Sequence, residues 1–147
     1  MALLTISFGQ LGTQPSAWHV PLVETAVINA YRAPESEYGS GHRGIDLAAN
    51  LDDLVFAPLL GRVSFVGKVG YRNVLTLETK IGELTFEPIC SSLLAGQQIS
   101  QGEVIGHVCV ADENYLWHCQ TTCLHLGLKT ERGYLSAEKF IFGMEPS

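Results

Sequence analysis

CLHLGLK, residues 123–129, alternates strictly: Leu124, Leu126 and Leu128 fall on one face of an extended chain, and Cys123, His125 and Gly127 on the other. A period of two with apolar residues on one face predicts a strand that buries that face. Upstream, β-type runs recur at 54–57, centred on Val55 and Phe56, at 62–66, at 73–79, at 84–89 and at 103–110. In 73–79, Leu75 and Leu77 oppose Thr76 and Glu78. Gly, Asn, Asp or Pro separate the runs, and 79–83, with Lys80 and Gly82, reads as a hairpin connection. Only 136–143 looks helical, with Ser136 as N-cap and Gly143 as the stop. The pattern predicts an all-β domain, an antiparallel sheet or sandwich core with a short C-terminal helix. Two long stretches, 30–44 and 111–122, carry no period, and loops of that size in a small domain are commonly functional.

The length of 147 residues, 46% of them hydrophobic, accommodates one domain, assigned to 18–147. Residues 1–17, MALLTISFGQLGTQPSA, read as a signal-peptide remnant or a disordered N-terminus; they lack a positively charged start. Fifteen Asp and Glu against nine Lys and Arg leave a net charge of −6 without a basic cluster, which argues against a nucleic-acid partner. The longest apolar run, 54–60, is interrupted by Pro58 and falls well short of the roughly 18 residues of a transmembrane helix. Four cysteines suit an exported domain with one or two bridges.

His42 and Asp46 stand four apart in GHRGIDLAA at the end of a Gly-rich loop, and His125 interrupts the apolar strand 123–129. Together they supply two imidazoles and a carboxylate, the donor types and number of a zinc site with one open position. The competing account is a chance HxxxD and a hydrogen-bonded core histidine; the two part on whether the three side chains converge. Cys119 and Cys123 are separated by three residues around a turn, a spacing that a disulfide can close. Cys123 is alternatively a fourth, thiolate ligand that closes the site, or, with Cys119, His118 or His125, part of a cysteine-nucleophile arrangement. Cys90 and Cys109 are either buried thiols or a second bridge. Tyr38, Tyr71, Tyr115 and Trp117 fall in loops and line a ligand groove or simply pack there. No GxSxG elbow and no phosphate loop occurs.

From about Trp18 to Leu135 the ordered motifs resemble the LytM and lysostaphin-type zinc metallopeptidases, family M23. GHRGIDLAA is similar to that family's HxxxD strand, VFAPLLGRVSFVG to the hairpin after it, and GYRNVLTLE to its Gly-x-x-Asn strand. GQQISQGEVIGHV is similar to the turn and strand before its last motif, and CLHLGL takes the place of its HxH strand. The resemblance implies a lysostaphin-like (duplicated hybrid motif) fold, Zn2+ held by His42, Asp46 and His125, and an extracytoplasmic, monomeric protein. Its implied partners are peptidoglycan peptides or a cell-wall hydrolase. The segment ISQGEVIGHV also resembles the hairpin of biotinyl and lipoyl carrier domains, but no Lys sits in the matching context.

Two positions depart from the family. The first His of HxH, which assists catalysis in active members, is Cys123, and the second assisting His falls on Pro88 in TFEPI. Pro has no side-chain proton to transfer or donate. Glu87 adjoins that position but falls on the opposite face from Pro88 in a regular strand, and His118 in WHCQTTC is the remaining catalytic candidate. A degenerate actinobacterial branch of the family resembles this chain in both departures, which implies a Cys119–Cys123 disulfide. The reading implied is a non-catalytic wall-binding or hydrolase-regulating protein, with an active zinc metalloendopeptidase as the alternative.

Overall fold

The computed structural model describes residues 18–34, 36, 41–117 and 119–143. The 1–17 segment, Tyr38 and His118 lie outside the described residues. The strands are β1 (Val27–Asn29), β2 (Gly44–Ala48), β3 (Leu54–Phe56), β4 (Gly61–Val69), β5 (Arg72–Glu78), β6 (Glu83–Glu87), β7 (Ile89–Cys90), β8 (Gln98–Ile99), β9 (Val104–Val108), β10 (Cys123–Thr130) and β11 (Gly133–Leu135), followed by helix α1 (Glu138–Phe142).

A large antiparallel sheet runs β1-β2-β10-β6-β5-β4-β8, with β11 folding back onto the far end of β10, and a smaller sheet runs β3-β9-β7. The alternation in 123–129 explains the central place of β10. Leu124, Leu126 and Leu128 are fully buried against Ile45 and Leu47 of β2 and against Leu84 and Phe86 of β6, so this strand needs neighbours on both edges. The small sheet adds Val55, Ile89, Ile105 and Val108 to the same core. Two sheets sharing one apolar interior make the all-β sandwich that the motif series predicts.

The predicted single strand over 84–89 is broken in two. Pro88 follows a cis Glu87–Pro88 bond and, having no N–H, cannot extend the ladder; the chain leaves β6 and enters β7 of the other sheet. The short β8 and β11 carry too few residues to display a period. The helix also starts later than its expected cap: Ala137 holds the N-cap position, while the Ser136 hydroxyl accepts the Glu138 N–H from one residue upstream at 3.2 Å. Gly143 stops the helix with φ 70°, a left-handed conformation open to glycine.

Two disulfides are present. Cys90–Cys109 ties β7 to the residue following β9, and the Asn73 side-chain amide of β5 lies 3.4 and 3.5 Å from its two sulfurs. Cys119–Cys123 closes a tight loop onto the start of β10. No described helix is long and apolar enough to cross a membrane.

Candidate metal centre

Strand register sets out the site as a row across one sheet face. Asn29 of β1 pairs with Asp46 of β2, Asp46 pairs with His125 of β10, and His125 pairs with Glu87 of β6. Directly opposed residues project to the same side, so four polar side chains meet on the face opposite Leu124 and Leu126. His42 joins from just ahead of β2. A two-way backbone bridge with Arg32, at 2.9 Å each way, fixes its main chain, and its Nδ1–H donates to the Ala30 carbonyl at 2.8 Å.

That last bond decides how the ring can act. A carbonyl only accepts, so Nδ1 carries the proton and a neutral His42 presents a lone pair at Nε2. Nε2 lies 3.2 Å from Asp46 Oδ2, and Asp46 is 1% exposed. A lone pair facing a buried carboxylate oxygen is repulsive unless a proton or a cation sits between them. On the other side His125 Nδ1 is 2.7 Å from Asp46 Oδ1, and the Asn29 amide donates to Asp46 Oδ2 at 2.9 Å. The donor atoms of His42, Asp46 and His125 all lie within 4.8 Å of one another. Ligands about 2.1 Å from a tetrahedral zinc are roughly 3.4 Å apart, so small side-chain adjustments fit the ion, which would exchange for the imidazole proton. Gly44 gives the second ring its room: a Cβ there would come within 2.6 Å of His125 Nε2 and of the Leu126 carbonyl.

A cleft of about 240 Å³ opens beside His125, lined among others by Arg43, Arg72, Thr85, Glu87 and Tyr134. Alternation counted from Pro88 turns Glu87 away from the site. The site's face is instead set by His125, whose register partner is Glu87, while Pro88 is buried where the chain leaves the sheet. One Glu87 oxygen, Oε1, accepts from Arg72 Nη1 at 2.9 Å; the other, Oε2, is buried with no hydrogen-bond partner among the described residues. Neither Arg72 nor Glu87 carries a sequence signal of its role, because only the cross-strand register brings them to the site.

In the 111–122 loop, Tyr115 lies within electrostatic range of Glu87, Asp46 and Arg72. Its phenol is pushed up to about 12, first by burial, then by the charges of Glu87 and Asp46, with Arg72 opposing. Tyr115 is 8% exposed and meets Trp117 edge-on, with ring centroids 5.1 Å apart; Tyr71 is exposed at the β4–β5 turn. Because the folded-state value exceeds that of a free tyrosine, the folded form holds its proton longer than the unfolded chain. This contribution to stability is complete below pH 10 and is lost as pH rises from there through about 12. In chelator-treated protein, the urea midpoint of Tyr115→Phe should therefore fall less than that of the wild type across this window; parallel curves would refute the placement.

Cys123 shares the face of His125 but is bonded to Cys119. Cys90, His107 and Cys109 form another group of potential donors, with both sulfurs joined in the second bridge.

Residues 40–136 match the model of Peptidase family M23. Uncharacterized proteins of Mycobacterium bovis and Mycobacterium tuberculosis are 33% identical over 104 residues, covering 69% of this chain and 40% of their own length. The chain thus spans about two fifths of the curated relatives it matches. Among solved structures, Helicobacter pylori Csd3 superposes with a TM-score of 0.69 at 21% identity, over 89% of this chain and 36% of that one. A zinc-containing peptidase from Vibrio cholerae gives 0.64 at 17% identity, over 82% and 39%. The catalytic domain of the antimicrobial peptidase lysostaphin from Staphylococcus simulans gives 0.65 at 16% identity, over 80% and 92%. At these identities the likeness is one of fold.

Proposed function

The chain belongs to peptidase family M23, and on that premise we propose that it is an exported, zinc-binding domain that holds peptidoglycan peptides, or a cell-wall hydrolase, without cutting efficiently. The observation that carries the reading is a contrast within one site. His42, Asp46 and His125 converge with their donor atoms within 4.8 Å, while the two positions of the assisting histidines hold a buried Pro88 and a disulfide-bonded Cys123. His42 Nε2, an Asp46 oxygen and His125 Nδ1 would hold the ion. Zinc there supplies Lewis acidity and a bound water of lowered pKa.

The chain's own residues account for binding. The cleft beside His125 offers Arg43, Arg72 and Lys129 to carboxylate or carbonyl oxygens, and Thr85 and Glu83 to peptide N–H groups. Two disulfides and the family's lysostaphin-like relatives support an extracytoplasmic location. The net charge of −6 makes general attraction to anionic wall polymers a poor source of affinity, so the cleft has to supply it.

The test is co-sedimentation of oxidised, zinc-loaded protein with insoluble peptidoglycan. Binding should be saturable, and Arg72→Ala or Lys129→Ala should weaken it several-fold. Equal recovery of all three proteins would sink the cleft as the binding surface.

A second reading, a slow zinc metalloendopeptidase, is favoured by Glu87. Its unpartnered Oε2 lies in a residue paired directly across from His125, where it would take a proton in place of the missing histidines.

A further inference from the structure

The Cys119–Cys123 disulfide lies against Asp46, one member of the metal triad. Asp46, Cys119 and Cys123 are a second set of donors within 4.8 Å of one another, all three buried, and Asp46 belongs to both sets. Cys123 is two residues before His125 on β10, hence on the same face, and its register partner Ala48 is two residues after Asp46 on β2. The Asn29 amide spans the two sets: it donates to Asp46 Oδ2 at 2.9 Å and lies 3.8 Å from Cys119 Sγ. A sulfur in a disulfide is a poor ligand, whereas a thiolate is among the best for zinc.

We propose that Cys123 is a redox-controlled fourth ligand of the metal centre. Oxidised, the bridge withholds Cys123 Sγ and leaves three protein ligands with one open position. Reduced, Cys123 Sγ binds the ion and closes the site into the four-coordinate form typical of structural zinc. The assignment rests on the zinc reading of His42, Asp46 and His125.

The reductant is an external dithiol. Cys119 is the more exposed of the two, 8% against 1% for Cys123, so the attacking thiolate bonds to Cys119 Sγ and the electron pair of the S–S bond leaves on Cys123 Sγ. The second thiol of the reductant, as its thiolate, then displaces Cys119. The reductant ends as a disulfide, and its two protons go to Cys119 and, directly or through solvent, to Cys123 or bulk water. On the metal, Cys123 remains a thiolate and its proton stays with solvent. Because Cys123 is paired with Ala48 of β2, and β10 is paired with both β2 and β6 from His125 onward, the strand holds Cys123 in place once the loop is released. The consequence is compartment control: the open position exists only where the bridge forms, and before export the site is capped by the protein's own sulfur.

Cobalt(II) substitution reads this directly, since thiolate ligation adds an intense near-ultraviolet sulfur-to-cobalt charge-transfer band that histidine and carboxylate ligands do not produce. The oxidised wild type should show cobalt d–d bands, lost in His42→Ala, without the sulfur band. Cys119→Ser frees Cys123 with no reductant, leaves Cys90–Cys109 intact, and should show the sulfur band; Cys119→Ser/Cys123→Ser should lack it. Both variants lack the bridge, so its loss does not bias the comparison, and the single variant should bind zinc at least about tenfold more tightly than the double. Cobalt d–d bands in Cys119→Ser with no sulfur band would overturn the proposal while leaving the triad standing. Absence of His42-dependent cobalt bands in every form would overturn the triad and this proposal with it.

Discussion

Asp46→Ala is expected to retain no zinc after dialysis against metal-free buffer, whereas the wild type keeps one equivalent by atomic absorption. The reason is its position at the hub of the site. Its two oxygens contact His42 Nε2 at 3.2 Å, His125 Nδ1 at 2.7 Å and the Asn29 amide at 2.9 Å, and the side chain is 2% exposed. Removing it takes away the only charged member of the proposed ligand set and the group that contacts both imidazoles, so the expected loss exceeds the roughly 10- to 100-fold commonly seen when only a supporting residue is removed. An affinity loss of at least about 1,000-fold is the expectation, and zinc at 1,000 times its dissociation constant stabilises a fold by about 4 kcal/mol. The urea midpoint of the wild type should rise on adding zinc, and that of the variant should not move. Asp46→Asn keeps the shape and one acceptor oxygen, and covers the case in which the alanine variant fails to fold. A full equivalent of zinc retained by both variants would remove Asp46 from the ligand set.

Much of the fold can be read directly from the chain because its central strand announces itself. The alternation in 123–129 gives β10 and its buried face, and similar runs give β3, β4, β5, β6 and β9 to within a few residues. Order within the sheets is not local information. That β10 lies between β2 and β6 follows from which apolar faces fit together, which no single segment of the chain displays. The same limit governs the site. As proposed ligands, His42, Asp46 and His125 are legible because metal-binding side chains are few in kind and the spacing of two of them is short. Glu87 and Arg72 are not, because an ion pair fifteen residues apart in sequence is visible only once β5 and β6 are aligned. Counting faces from Pro88 places Glu87 on the wrong side; the missing N–H of Pro88 ends the strand there, so alternation does not carry across that residue. Asn29 shows the complementary failure, and Tyr115, legible only as a loop aromatic that lines a groove or packs, shows part of it. Both lie in segments with little or no periodicity, and each reaches the site through an anchor elsewhere: the Cys119–Cys123 bridge for the loop, and the pairing of β1 with β2 for Asn29.

Oxidised, zinc-loaded protein is expected to hydrolyse a peptidoglycan cross-bridge peptide about 10,000-fold or more slowly than a family member with both assisting histidines. Removal of one preorganised donor to a developing oxyanion commonly costs about 100- to 1,000-fold, and both positions are changed here, to a residue with no side-chain proton and to a disulfide sulfur. The proposed metal ligands remain, so the expected deficit lies in the rate constant of the chemical step rather than in metal content; release of new amino termini under single-turnover conditions separates the two. Glu87→Gln then distinguishes binding from slow catalysis. The substitution preserves size and keeps a polar partner for Arg72, but the amide cannot take a proton. If Glu87 serves as the proton acceptor, the residual rate falls by a further 100-fold or so, with binding to peptidoglycan unchanged. If the rate is indifferent to Glu87→Gln, the carboxylate serves the cleft alone, and any residual cleavage owes nothing to it. A wild-type rate within tenfold of a two-histidine relative would defeat the non-catalytic reading outright, because no arrangement of Pro88 and Cys123 supplies the donors that such a rate needs.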